Sequence, residues 1–300
     1  MNGQKTQEIK RILVALDDSP ASRIVLETAA ELAAGFQAEL VGLYVEDVNL
    51  IRVAELSFTQ EVGLFSGTSR RLEIHHVERG FRSQARRVRQ ALEAAAKNAQ
   101  VDCSFQVGRG MIAAVLLTAA AEADLVILGR RSQSVIARRR LGSTARSILV
   151  EGTQLTLLLQ PAMQPGQPVM VIYDGSATSQ KALATTARLL REKAGAVTVL
   201  ILADQTDQAR LLQQEAAELL TDQTLETEFH WLARPTVARL ARFIKDKEFR
   251  LVVLSEANTL SREAMLRLLD EIDCPVLLVR QSDITHLGDI RLSSTAQPGE

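Results

Sequence analysis

Short apolar runs alternate with amphipathic stretches along most of the chain. A run rich in Val, Ile and Leu reads as a strand buried on both faces, and apolar positions three and four apart read as a helix packed on such a sheet. The first half predicts a strand over 11–16 and a helix over 20–34. It continues with a strand over 38–46, a helix over 83–98, a strand over 102–107 and a helix over 111–122. A strand over 124–129, a helix from Ser143 and a strand over 154–159 complete it. The second half predicts strands at 169–173, 196–202, 226–232, 251–255 and 276–280. Its helices fall at 178–193, 207–220, 236–247 and 261–270. Strands alternating with helices imply right-handed crossovers and a parallel sheet covered on both faces.

The pattern repeats. Arg11–Leu16 is an apolar run followed by Asp17, Asp18 and Ser19; Val169–Tyr173 is an apolar run followed by Asp174, Gly175 and Ser176. In each case Asp and Ser stand where a helix start leaves N–H groups without partners, and Pro20 suits an early helical position. The expected architecture is therefore α/β, with two tandem five-stranded parallel-sheet units. Their expected bounds are 1–160 and 168–281, with a flexible tail over 282–300. The join holds Pro161, Pro165, Gly166 and Pro168, a linker composition.

The halves differ in one connection. About 35 residues, 47–81, separate the second strand of the first half from its next predicted helix, a length that is usually functional or mobile. Two roles fit it: a short extra helix that covers a sheet edge or meets a partner, or a lid over a ligand.

Composition narrows the class. Hydrophobic residues make up 46% of the 300 and charged residues 24%, enough for a packed core, and aromatics are 4%, so Ala, Leu and Val must fill it. A net charge of -1 gives the chain no global reason to bind nucleic acid or an anionic membrane. Cys103 and Cys274 lie in different halves without metal-ligand spacing and read as small core residues. The polar N-terminus and the lack of a long apolar run point to a cytoplasmic chain without a membrane span.

In open parallel sheets, ligands sit beyond the carboxyl ends of the strands where the strand order reverses. Asp17–Ser19 should reach that point, and so should the stretch from Gly129 through Arg131 and Ser132 to Gly142, Ser143 and Thr144. Gly129 ends a strand where a backbone can approach a ligand, and Gly142 opens a helix whose free N–H groups favour an anion. The hydroxyls of Ser143 and Thr144 add donors. Arg130, Arg131 and Arg138–Arg140 add positive charge, either to a phosphate or to a solvated loop face. Asp17 and Asp18 read as helix-capping carboxylates or as an acid–base pair.

These features resemble the universal stress protein family over about 11–280 of the chain. The resemblance rests on the Asp-x-Ser strand ends, the strand–helix order and the closing run from Asp273 to Arg280. It implies a Rossmann-like fold of the adenine nucleotide α-hydrolase type, with the two units packed as an internal pseudo-dimer. Family members that bind ATP carry Gly-x2-Gly-x9-Gly-[Ser/Thr], which here falls on Gly129, Ser132, Gly142 and Ser143. It also implies Asp17 beside the adenosine and backbone contact with adenine near Val45. ATP with Mg is the implied ligand, and a regulator or adaptor of a stress response the implied role. A homodimer and a client protein are the implied partners.

The sequence departs from that pattern at Ser132, where the second glycine should be, and at Asp18, which adds negative charge where Gly175 stands in the repeat. A nucleotide-free scaffold is the alternative role. The second half lacks both the first glycine and the Gly-Ser pair, and its Glu256 and Glu263 should face any phosphate. Trp231 reads as core. The pair His75-His76 reads as an exposed polar turn, with a metal site as the sharper alternative. No P-loop, GxGxxG or GxSxG pattern occurs.

Overall fold

The computed structural model describes residues 9–56, 59–62, 69–71, 73–130, 141–160, 168–190, 195–221, 225–256 and 259–280. The chain divides into two compact units, 1–152 with 158–161 and 153–157 with 162–300.

In the first unit, β1 (Arg11–Leu16) leads to α1 (Pro20–Phe36) and β2 (Glu39–Asp47). Then come α2 (Val48–Glu55), β3 (Gln60–Val62), β4 (Ser69–Arg71), α3 (Ile74–Ala99) and β5 (Cys103–Gly110). The remainder is α4 (Ile112–Ala120), β6 (Leu125–Gly129) and α5 (Ser143–Glu151); β7 (Leu155–Leu159) follows, with 155–157 counted in the second unit and 158–159 in the first. Strands pair in parallel in the order β6-β1-β2-β5, and β7 lies beside β6. The chain moves outward from β1 to β5 and then returns to the other side of β1. The order thus reverses between β1 and β6, which opens a crevice at their carboxyl ends.

The second unit runs β8 (Val169–Tyr173), α6 (Ala177–Leu190), β9 (Ala196–Leu202), α7 (Thr206–Leu220) and β10 (Glu226–Leu232). It closes with α8 (Val237–Lys247), β11 (Leu251–Ser255), α9 (Arg262–Glu271) and β12 (Val276–Val279). Its strand order is β10-β9-β8-β11-β12, with parallel pairing throughout. The order reverses between β8 and β11, as it does between β1 and β6.

The apolar runs are buried as their composition requires: Ile12, Val14, Ile127, Met170, Val171 and Val253 have no exposed surface. Cys274 is buried and Cys103 half-buried, and neither forms a disulfide. Trp231 departs from expectation. Its strand β10 is a sheet edge, and the indole is 43% exposed with its Nε1 donating to the Ala203 carbonyl at 2.9 Å.

The long connection is largely structured. The extra helix is α2, which packs on α3 and on the edge strand β5. A β3–β4 antiparallel pair follows it. α3 begins at Ile74, well before the 83–98 expected, because Phe81 extends the buried stripe of Val88, Leu92 and Ala96 by two more turns. His75 and His76 are therefore helical rather than in a turn. Among the described residues, no helix is long and apolar enough to cross a membrane.

Burial also changes acidity. Burial, aided by Glu46, pushes the Tyr44 phenol up to about 12, and burial with Glu215 does the same for Tyr173. These are the chain's two tyrosines. Between pH 10 and about 12 the folded chain therefore holds protons that the unfolded chain has released. Stability falls across that window as pH rises. Native protein near pH 11 should show little tyrosinate absorbance, and denaturant should reveal it. Full tyrosinate signal in the native protein at that pH would contradict this.

Candidate functional site

The crevice between β1 and β6 is a cavity of about 170 Å³. Its floor comes from the strand ends: Ala15, Leu16 and Asp17 on β1 and just beyond it, Leu43 to Val45 on β2, and Leu128 and Gly129 on β6. Its sides come from three helix starts, with Val25 on α1, Ile112 and Leu116 on α4, and Gly142, Thr144 and Ala145 at α5. Most of the wall is apolar, with Asp17, Ser19, Ser22, Tyr44 and Thr144 as polar points. That is the make-up of a small-molecule site.

Asp17 is placed by its own turn. Its Oδ1 accepts from the Ser19 N–H at 3.1 Å and from the Ser19 hydroxyl at 2.5 Å. The Ser19 Oγ in turn accepts from Ser22 N–H at 3.1 Å and so caps α1, while Ser22 Oγ accepts from the Asp17 N–H at 3.0 Å. The second unit repeats this network. Asp174 Oδ1 accepts from Ser176 N–H and hydroxyl at 3.1 and 2.7 Å, and Ser176 Oγ accepts from Ser179 N–H at 3.2 Å. The Asp-x-Ser-x-x-Ser repeat thus builds a helix start twice, by hydrogen bonds that satisfy otherwise orphaned donors.

The two turns differ in backbone. Gly175 sits at φ +80, and a Cβ there would lie 2.5 Å from Leu212 Cδ2. Asp18 is absent from the positive-φ residues, so the first turn takes an ordinary conformation. Gly175→Ala should cost about 1–2 kcal/mol from left-handed strain and the Leu212 contact. A denaturant midpoint unchanged in Gly175→Ala would contradict that.

Asp18 does not add its charge to the cavity. Arg87 on α3 donates to its Oδ2 from Nε at 2.9 Å and Nη2 at 2.6 Å, on the flank between α1 and α3. The structure brings together Asp17, Val45, Gly129, Gly142 and Thr144 on the cavity wall. Ser143 is exposed beside it and is not on the wall. Arg131, Ser132 and Arg138–Arg140 lie outside the described residues. Gly142 is the N-cap of α5, with its N–H donated to the Arg130 carbonyl at 3.0 Å. Ile112 and Leu116 were not legible as wall residues, because apolar positions on a short helix look like plain core.

α4 reaches the cavity by close approach. A Cβ on Gly108 of β5 would meet Val115 Cγ1 at 2.3 Å, so the glycine lets α4 settle on the sheet. Next to it in register stands Val45, whose neighbour Glu46 accepts from Arg109 Nε at 2.7 Å.

In the second unit the corresponding aspartate is engaged by the chain itself. Asp174 Oδ2 accepts from the Thr259 N–H at 2.8 Å and from its hydroxyl at 3.2 Å. The carboxylate oxygen that could meet a ligand there is taken by the chain itself. Glu256 and Glu263 do not stand as free charges. Glu256 Oε1 accepts from Arg280 at 3.0 Å and Arg262 at 3.2 Å, and Glu263 Oε1 from Arg267 at 2.6 Å.

Comparison with known proteins bears on the first unit. Residues 8–154 match the universal stress protein family. The first unit carries a universal stress protein domain. Universal stress proteins of Mycobacterium tuberculosis (Rv1996, strain H37Rv) and Mycobacterium bovis (Mb2019) are each 28% identical over 176 residues, or 56% of this chain and 55% of theirs. The chain thus spans about half the length of the curated relatives it matches. A universal stress protein from Archaeoglobus fulgidus DSM 4304 superposes with a TM-score of 0.69 at 15% identity, covering 90% of this chain and 98% of that one. A functionally unknown protein from Pseudomonas aeruginosa PAO1 gives a TM-score of 0.57 at 14% identity, covering 93% and 95%. Those two likenesses concern the fold. The universal stress protein unit owns the cavity just described.

Proposed function

We propose that the first unit binds ATP or a related adenine nucleotide, with Mg carried on its phosphates, and acts as a regulator or adaptor in a stress response. The observation that carries this reading is the cavity at the β1–β6 switch point, apolar along most of its wall and ending at the Asp17 carboxylate and the α5 start. Apolar walls suit a planar base, and a carboxylate accepts from ribose hydroxyls. A helix start with Gly at its N-cap suits a phosphate. Val45 would meet the base through its backbone. Gly129, Gly142 and Thr144 would frame the phosphates, with Arg131, Ser132 and Ser143 joining them by sequence spacing. Binding without strong turnover is the expected behaviour, since Asp17 Oδ1 is engaged by Ser19 and Asp18 by Arg87. The second unit would serve as a structural partner, in an internal pseudo-dimer or within a homodimer that meets a client protein in the cytoplasm.

A second reading has its own support. About 170 Å³ lies below the roughly 300–1,000 Å³ of small-molecule pockets, and Ser132 replaces the family's second glycine. On that reading the chain is a nucleotide-free scaffold. Calorimetric titration of ATP with magnesium into the native chain separates the two. Saturable binding supports the nucleotide reading. Absence of binding, with affinity appearing in Ser132→Gly, would replace it with the scaffold.

A further inference from the structure

The first turn of α3 gathers two imidazoles and a carboxylate that the nucleotide reading does not use. Glu73 immediately precedes the helix and makes no side-chain capping bond. His75 Nε2 lies 3.0 Å from Glu73 Oε2. The His75 and His76 rings meet edge to face with centroids 4.4 Å apart. One ligand atom from each of the three residues lies within 4.8 Å of the other two. We propose that Glu73, His75 and His76 form a surface site for a divalent transition-metal ion of the zinc type.

Ligand chemistry selects the metal class. Imidazole nitrogen with carboxylate oxygen suits zinc, nickel and copper, whereas calcium and magnesium prefer oxygen alone. Geometry is close to what an ion needs. With metal–ligand bonds near 2.0–2.1 Å, the edge of a zinc tetrahedron is about 3.3 Å. The Glu73–His75 separation of 3.0 Å is nearly that edge. His76 has further to travel, and the exposed His75 and Glu73 side chains are able to meet it. Adjacent helical residues ordinarily point apart. Here the ring contact shows that the two imidazoles converge.

The backbone holds the set in place. His76 N–H donates to the Glu73 carbonyl at 2.9 Å, and Val77 N–H to the same oxygen at 3.2 Å. The surroundings limit affinity. Arg79 Nε donates to the His75 carbonyl at 3.2 Å, which brings a cation near the site, and Glu78 is drawn toward Arg82 and Arg109. Three exposed or half-exposed ligands leave the remaining coordination positions to water. Micromolar binding is the expected regime, and a bound ion would tie residue 73 to the first turn of α3.

The test uses the full chain without any histidine tag, titrated with Zn²⁺ by calorimetry and with Co²⁺ by absorbance. One Zn²⁺ per chain should bind saturably, and His75→Ala/His76→Ala should weaken that binding at least about tenfold. His75 is exposed and His76 half-buried, neither in the core, so the variant should keep the native circular dichroism spectrum. The Co²⁺ spectrum should show nitrogen and oxygen ligation without thiolate charge transfer. Unchanged Zn²⁺ affinity in the double variant, a thiolate band from Cys103 or Cys274, or the absence of saturable binding would each overturn the proposal.

Discussion

Gly142→Asp is expected to abolish ATP binding to the first unit while leaving the fold as stable as before. The position is the N-cap of α5, with φ −65 and ψ 155, a conformation open to any residue. Asp is a better N-cap than Gly by a few tenths of a kcal/mol, so the helix start should hold or gain slightly. The same carboxylate stands on the cavity wall, where the α5 start would otherwise present N–H groups to a phosphate. Two unit charges about 4 Å apart interact by about 4 kcal/mol at the effective dielectric of a protein surface. Screening and side-chain movement reduce that. A loss near 3 kcal/mol remains, which is at least about a hundredfold in affinity. Calorimetry with a parallel thermal melt reads both quantities. Retained affinity with an unchanged melting temperature would move the phosphates away from α5, and a lowered melting temperature would make the variant uninformative about Gly142 as a ligand.

The parts of this site differ in how far the sequence reveals them. Asp17, Gly129 and Gly142 are legible because each stands at the end of an apolar run or the start of a helical one. Topology then brings strand ends together. The role of Ser19 is legible too, since Ser before Pro and a helical pattern is a capping signal. The partner of Asp18 is not. Arg87 is far away in sequence and belongs to a helix with arginines on several faces, so no local rule singles it out. The early start of α3 is hidden for a related reason. Residues 74–80 are mostly polar and include Gly80, and the helix there depends on the tertiary burial of Phe81 rather than on propensity. Thr259 is the clearest case. Nothing in Asn258-Thr259-Leu260 marks a ligand mimic, and its role exists because β8 and β11 lie side by side.

Removing the Glu256 side chain is expected to destabilise the second unit by about 3 kcal/mol. Arg280 has no exposed surface and its Nη1 lies 3.0 Å from Glu256 Oε1. Breaking a buried ion pair from one side typically costs about 3–5 kcal/mol, because the remaining charge loses a partner in a poor dielectric. Glu256 is itself partly exposed and is shared with Arg262, which places the expectation at the low end. Replacing both partners, as Glu256→Ala/Arg280→Met, should recover most of the loss, since the residual charge goes with them. Urea midpoints at unchanged slope would read the difference. Equal destabilisation in the single and double variants would mean that the pair is not the source. The pair also bears on what the two units can bind. Glu256 N–H donates to the Val279 carbonyl as Arg130 N–H donates to that of Leu159, so the two residues occupy the same place at the end of corresponding strands. At that place the first unit carries an arginine, which is buried and does not line the cavity, and the second a carboxylate. Glu256 is paired with both Arg280 and Arg262, which ties it to the structure of the second unit rather than to a ligand.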